Sequence, residues 1–287
     1  HGAAVLSQKK GGPMDTLFQR ELAYAALGTG FTCLATVLGA AMVFFFRREL
    51  SAMTQKLFLG FAAGVMGAAS VWSLRIPAME QAGQQAAPGT PRALAVGLPV
   101  CGGFVLGAGF LLLMARLMPH LHIGSDEPEG LPARLKRTTM IVLAVTLHNI
   151  PEGMAVALTF SVAAANPSEG AFAGAVALAL GMALQNFPEG AAVSLPLKAQ
   201  GAGTGKAFAC GALSGVVEPV FGLLTVLVAG RVLALMPWLL AFAAGAMLYV
   251  VVEELIPEAR LGEHSNAGTL SVLAGFLVMM MLDVLLG

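Results

Sequence analysis

Eight apolar runs, each approaching the roughly 20 residues that cross about 30 Å of hydrocarbon, dictate what this chain can fold into. They fall at approximately residues 22–46, 56–74, 94–117, 138–163, 170–196, 206–230, 237–256 and 267–286. In hydrocarbon every backbone N–H and C=O must find a partner within the protein, which leaves only helices or a closed barrel. Long continuous runs lack the alternation of a barrel strand, so the expected fold is an all-α polytopic membrane protein. Residues 21–287 form a single domain of eight transmembrane helices, preceded by a polar tail at residues 1–20 with an amphipathic start near Asp15 to Glu21. The start at His1-Gly2 reads as a trimmed terminus.

Composition supports this class: 11% of residues are charged, against about 25% in soluble domains. The second run is barely long enough to cross, and its Gly60, Gly64 and Gly67 predict close packing on a neighbour. With 35 glycines in the chain, the same reasoning extends to a tightly packed bundle whose glycine-rich faces permit a homodimer. Zero formal net charge gives no footprint for a nucleic-acid partner, so the partners expected are divalent metal ions and the lipid bilayer. Cys33, Cys101 and Cys210 each lie within an apolar run, in no CxxC spacing, and read as small hydrophobes. Lysine and arginine are unevenly distributed. Ten flank the connections that follow odd-numbered runs and six lie on the opposite side, so the positive-inside rule places both termini outside the cytosol.

Polar groups interrupt this apolar pattern in a repeated way. His148-Asn149-Ile150-Pro151-Glu152-Gly153 in the fourth run recurs 37 residues later as Gln185-Asn186-Phe187-Pro188-Glu189-Gly190 in the fifth. Consecutive spans run in opposite directions, so matching motifs on them imply a pseudo-two-fold axis in the membrane plane and inverted-repeat symmetry. A charge at the bilayer centre costs about 3 kcal/mol on insertion scales, and a bound cation is the simplest way to offset that cost. On a helix, residues four apart lie on one face, so His148 and Glu152 can share an ion, as can Gln185 and Glu189. Asn149 and Asn186 flank the same faces. Each proline frees the carbonyl four residues earlier, at Leu147 and Leu184. Glu218, followed by Pro219 in the sixth run, is a third intramembrane carboxylate. Two bridging glutamates with Glu218 and neutral His, Asn and Gln ligands describe a two-metal cluster whose charge is incompletely cancelled, as release requires. Taken singly, a polar residue in a span is more often a helix–helix contact. Ionisable groups gathered inside spans mark function.

The paired motif resembles the signature of the ZIP (Zrt/Irt-like) family of divalent metal transporters, closest to its bacterial members, over the chain from about residue 22 to the end. The resemblance implies a binuclear metal centre. One ion would take His148, Glu152, Gln185 and Glu189, with Met66 at a thioether position near it. The other would take Asn149, Asn186, Glu218 and the shared glutamates. Two departures stand out: position 186, often Asp in bacterial relatives, is Asn here, and residues 118–137 hold only two histidines where the family's loop is often long and His-rich.

His120, His122, Glu253, Glu254 and His264 fall on the expected cytosolic side as candidate release ligands. Asp283, near the outer end of the eighth run, is the matching entrance candidate. Loop histidines and helix-end carboxylates are also commonly just solvated. The function expected is Zn2+ uptake into the cytosol by alternating access, with Cd2+, Fe2+ or Mn2+ as alternative cargo, in a bacterial inner (plasma) membrane. No nucleotide-binding motif suggests ATP coupling. An intramembrane metalloenzyme is the alternative, although His-Glu-x-x-His is absent and histidines are few. A metal sensor without transport is another.

Overall fold

The computed structural model describes residues 13–46, 50–118, 137–165, 168–229, 233–260 and 266–286. Eight helices are long and apolar enough to cross a membrane: α1 (Thr16–Phe44), α2 (Ala52–Gln84), α3 (Ala93–Leu117), α4 (Val142–Ala165), α5 (Gly170–Ala199), α6 (Thr204–Ala229), α7 (Met236–Ala259) and α8 (Ala267–Leu286). Among the described residues there is no strand. The helix containing α1 starts at Pro13, whose fixed φ suits a first turn. Ser51 and Ser168 cap the helices that carry α2 and α5, accepting from the backbone N–H of Thr54 and Ala171 at 3.1 Å.

The largest departure from the apolar pattern is α2. Its hydropathy falls at Arg75, yet the helix runs on to Gln84, 33 residues in all. Backbone hydrogen bonding outlasts the apolar stretch because the turn widens to a π-helix over Ser70–Arg75. Two further π turns, Ala93–Gly97 and Val251–Leu255, share a feature with it: each ends two residues before a proline, at Pro77, Pro99 and Pro257. A proline ring collides with the carbonyl four residues back in a regular helix, and the wider turn makes room for it. Pro151, Pro188 and Pro219 instead lie inside continuous α-helix.

The closest packings divide the spans into two groups. In the first, α1 lies against α5 and α6, and α4 lies against α6 and α1; in the second, α2 packs on α8 and α3 on α7. Small residues set the separations. A methyl group at Gly60 would approach the carbonyl oxygen of Gly268 to 2.9 Å, so α2 and α8 touch backbone to backbone. At Gly67 the nearest atom is 4.0 Å away, so that glycine does not contribute to the tight seam expected of it. Lys198 ties the first group together by donating from Nζ to the carbonyl oxygen of Val43 at 2.6 Å. The outer surface exposes Leu27, Val105, Leu270 and Leu285, as a bilayer-facing surface should.

Candidate metal site

A cavity opens between the two groups. From the first group come Ala144, His148 and Glu152 of α4 with Gln185, Glu189 and Ala192 of α5; from the second, Phe58 and Met66 of α2 with Val250, Glu254 and Glu258 of α7. The i, i+4 spacing of each motif therefore places both of its end residues on one wall, as the periodicity predicts. Of the groups lining this cavity, four are carboxylates and none is Lys or Arg. Such a lining favours cations.

Access is one-sided. The cavity starts near Leu50, Gln55 and Glu258, at the end of the bundle where α2 begins and α7 finishes, and its lining ends at Met66, Glu152, Gln185 and Val250. Beyond that level Leu158, Leu178, Met182, Met247 and Met279 are fully buried. Apolar side chains thus close the opposite path.

The remaining motif residues lie behind the cavity wall, inside the first group. Asn149, Asn186 and Glu218 are all 0% exposed. Asn149 Nδ2 donates to the carbonyl oxygen of Ser214 at 2.8 Å. Asn186 Nδ2 donates to Glu218 Oε1 at 3.0 Å, and Thr36 Oγ1 of α1 donates to the same oxygen at 3.1 Å. Gln185 connects the two layers: its Nε2 donates to Glu152 Oε1 at 2.8 Å and to Asn186 Oδ1 at 3.3 Å. Glu218 reaches this position because α6 carries glycine where it crosses its neighbours. A methyl at Gly215 would lie 2.7 Å from Thr36 Cβ, and one at Gly222 would lie 2.7 Å from the carbonyl oxygen of Gly153.

Hydrogen bonding leaves several buried polar atoms unmatched among the described residues, and five of them fall on the motif residues and Glu218. Among the described residues, the buried oxygens Asn149 Oδ1, Glu152 Oε2, Gln185 Oε1, Glu189 Oε1 and Glu218 Oε2 have no donor. Native interiors rarely leave such acceptors unmatched, and five on adjoining residues have the character of a cation site. Among the described residues, no three of His, Cys, Asp and Glu converge closely enough to hold an ion by themselves.

Glu254 holds a different place from the one its sequence position suggests. Read as a release ligand at the helix end, it is buried in the cavity wall, where its carboxylate pairs with His148 Nε2. The π turn over Val251–Leu255 sets this orientation, while Glu253 faces outward. Asp283 is half-buried beside Ser73, at the end of the bundle away from the cavity mouth. His120, His122 and His264 lie outside the described residues. Sequence reasoning missed Thr36, whose pattern in α1 does not differ from that of any helical threonine.

A family model described as ZIP zinc transporter matches residues 122–283. This chain belongs to the ZIP family. It is 38% identical to zinc transporter ZIP11 of Homo sapiens, an alignment covering 92% of this chain and 97% of the relative. It is 40% identical to zinc transporter GufA of Myxococcus xanthus, covering 88% and 95%. With zinc transporter ZIPB of Bordetella bronchiseptica it shares 38%, covering 92% and 82%. These ZIP relatives are named as transporters and not as enzymes, and this chain is likewise a multi-pass membrane protein.

Proposed function

We propose that this chain carries Zn2+ across the membrane into the cytosol by alternating access, through two unequal metal positions on α4, α5 and α6. The observation that carries the reading is the set of five unmatched acceptor oxygens, three on the wall of a one-sided, carboxylate-lined cavity and two in the buried layer behind that wall. The names of the ZIP relatives support zinc as the cargo.

At the first position His148, Glu152, Gln185 and Glu189 are the ligands, with Met66 beside them. Nitrogen and carboxylate donors suit Zn2+, while the amide oxygens and thioether leave room for Cd2+, Fe2+ or Mn2+. The second position takes Asn149, Asn186 and Glu218 together with the bridging Glu152 and Glu189. It carries one charge fewer than an Asp at 186 would give, and so binds more weakly.

The cavity mouth lies at the end that carries most of the lysines and arginines, so the conformation described is open to the cytosol. Glu254 and Glu258 then form the first step of release, continued by His120, His122 and His264. Asp283 guards the opposite, extracytosolic entrance. Transport consists of α1, α4, α5 and α6 moving as a unit against α2, α3, α7 and α8. The close packing within each group and the cavity between them support this division. The protein acts in a plasma membrane, the inner one in a bacterium, with residues 21–287 as one domain.

The test is flux of Zn2+, Cd2+, Fe2+ and Mn2+ into sealed vesicles containing the purified protein. Saturable accumulation with Zn2+ preferred is expected. Binding without accumulation would identify a sensor and overturn the reading.

A further inference from the structure

Thr36 lies on α1, which carries neither motif, yet its hydroxyl reaches the carboxylate of the second position. Thr29, Thr32 and Thr36 line one buried face of α1, all 0% exposed. Thr29 Oγ1 donates to the carbonyl oxygen of Ala25 at 2.7 Å and Thr32 Oγ1 to that of Thr29 at 3.1 Å, while the Thr32 hydroxyl also lies beside the Glu218 carboxylate. Such back-bonding is the ordinary behaviour of helical threonine. Thr36 has two acceptors for its single proton. The carbonyl oxygen of Thr32 is 3.5 Å away, and Glu218 Oε1 is 3.1 Å away across the α1–α6 contact. The carboxylate is nearer and accepts more strongly.

We propose that Thr36 is a positioning residue that sets the affinity of the second metal position by competing with the ion for Glu218. Before an ion arrives, Thr36 and Asn186 hold Oε1 through two donated hydrogen bonds. An ion at the second position draws the carboxylate toward itself, and the Thr36 proton turns back to the carbonyl of Thr32. Because that acceptor is already in reach, the exchange leaves no buried hydroxyl unpaired and stays readily reversible. The clasp thus keeps the second ion weakly bound and able to leave. This inference rests on the reading of Glu218 as a metal ligand.

The experiment is calorimetric titration of Zn2+ into the purified full-length protein, beside zinc flux in vesicles, for wild type, Thr36→Val, Thr36→Ala, Thr36→Ser and Glu218→Gln. Thr36→Val keeps the shape required by the close approach of Gly215 and removes only the donor. It should tighten the weaker site by about tenfold, the worth of one hydrogen bond to a charged group, and slow zinc release. Thr36→Ala, which removes bulk instead of replacing it, should shift affinity in the same direction, and Thr36→Ser should restore wild-type values. Glu218→Gln should lose the weaker ion. If Glu218→Gln loses that ion while Thr36→Val and Thr36→Ala bind like wild type, the Thr36 inference is wrong and the site stands. Weaker zinc binding in both Thr36 variants would also overturn it. If Glu218→Gln binds zinc as wild type does, the second position itself is wrong.

Discussion

Substituting Gly222 with alanine tests how helix packing controls the metal site. A methyl there would meet the carbonyl oxygen of Gly153 at 2.7 Å, Ala157 Cβ at 2.9 Å and Thr29 Cγ2 at 2.9 Å. The collisions come from α4 and α1 together, so α6 must withdraw from both. Restoring an ordinary contact of 3.4 Å requires a displacement of roughly 0.7 Å. Glu218 is four residues from Gly222 on the same face and moves with it. Its carboxylate is thereby carried roughly 0.7 Å from Asn149, Glu152, Asn186 and Glu189, the α4 and α5 residues proposed to share its ion, and this misplacement outweighs the release of the Thr36 bond. Overpacking of this kind costs about 1–3 kcal/mol of stability. Calorimetric zinc titration of Gly222→Ala should show the weaker site loosened by at least about tenfold, with the stronger site changed by less than about threefold. Gly109→Ala on α3, where nothing lies within 4 Å, is the control and should be silent. A Gly222→Ala protein with wild-type melting temperature and both affinities unchanged would refute the reasoning.

Two further outcomes follow from the cavity. Met66→Leu preserves buried volume but removes the thioether, so zinc flux should change by less than about threefold while cadmium flux falls about tenfold, since Cd2+ is the softer ion; equal effects on both ions would remove Met66 from the site. In a background with Cys33, Cys101 and Cys210 replaced, a membrane-impermeant thiol reagent should label Ala192→Cys from the cytosolic face and leave Leu178→Cys unmodified; rapid labelling of both would show that the apolar closure beyond Gln185 is absent.

Much of this architecture was legible because hydropathy and helix length are local properties. The eighth run, 267–286, coincides with Ala267–Leu286, and the third differs from Ala93–Leu117 by one residue. The second was underestimated at Arg75, since hydropathy records where lipid ends while the π turn keeps the helix intact to Gln84. Within the site, four-residue spacing sufficed to bring His148, Glu152, Gln185 and Glu189 to one cavity. It did not reveal that Asn149, Asn186 and Glu218 would lie sealed in another layer, because that depends on how closely α6 approaches α1 and α4. Glu254 was named from the sequence as a release ligand, but its contact with His148 was not anticipated. A wide turn before Pro257 rotates it inward against His148, and no count of residues along a regular helix anticipates that. Thr36 is illegible by nature: only the neighbouring carboxylate distinguishes it from Thr29.

The central claim is that metal crosses the membrane through the site built on the paired motifs. Zinc uptake into sealed vesicles, compared among wild type, Glu152→Ala and Glu189→Ala at matched protein density, tests it most directly. The account predicts that uptake collapses in both variants. Undiminished zinc flux in both would contradict it.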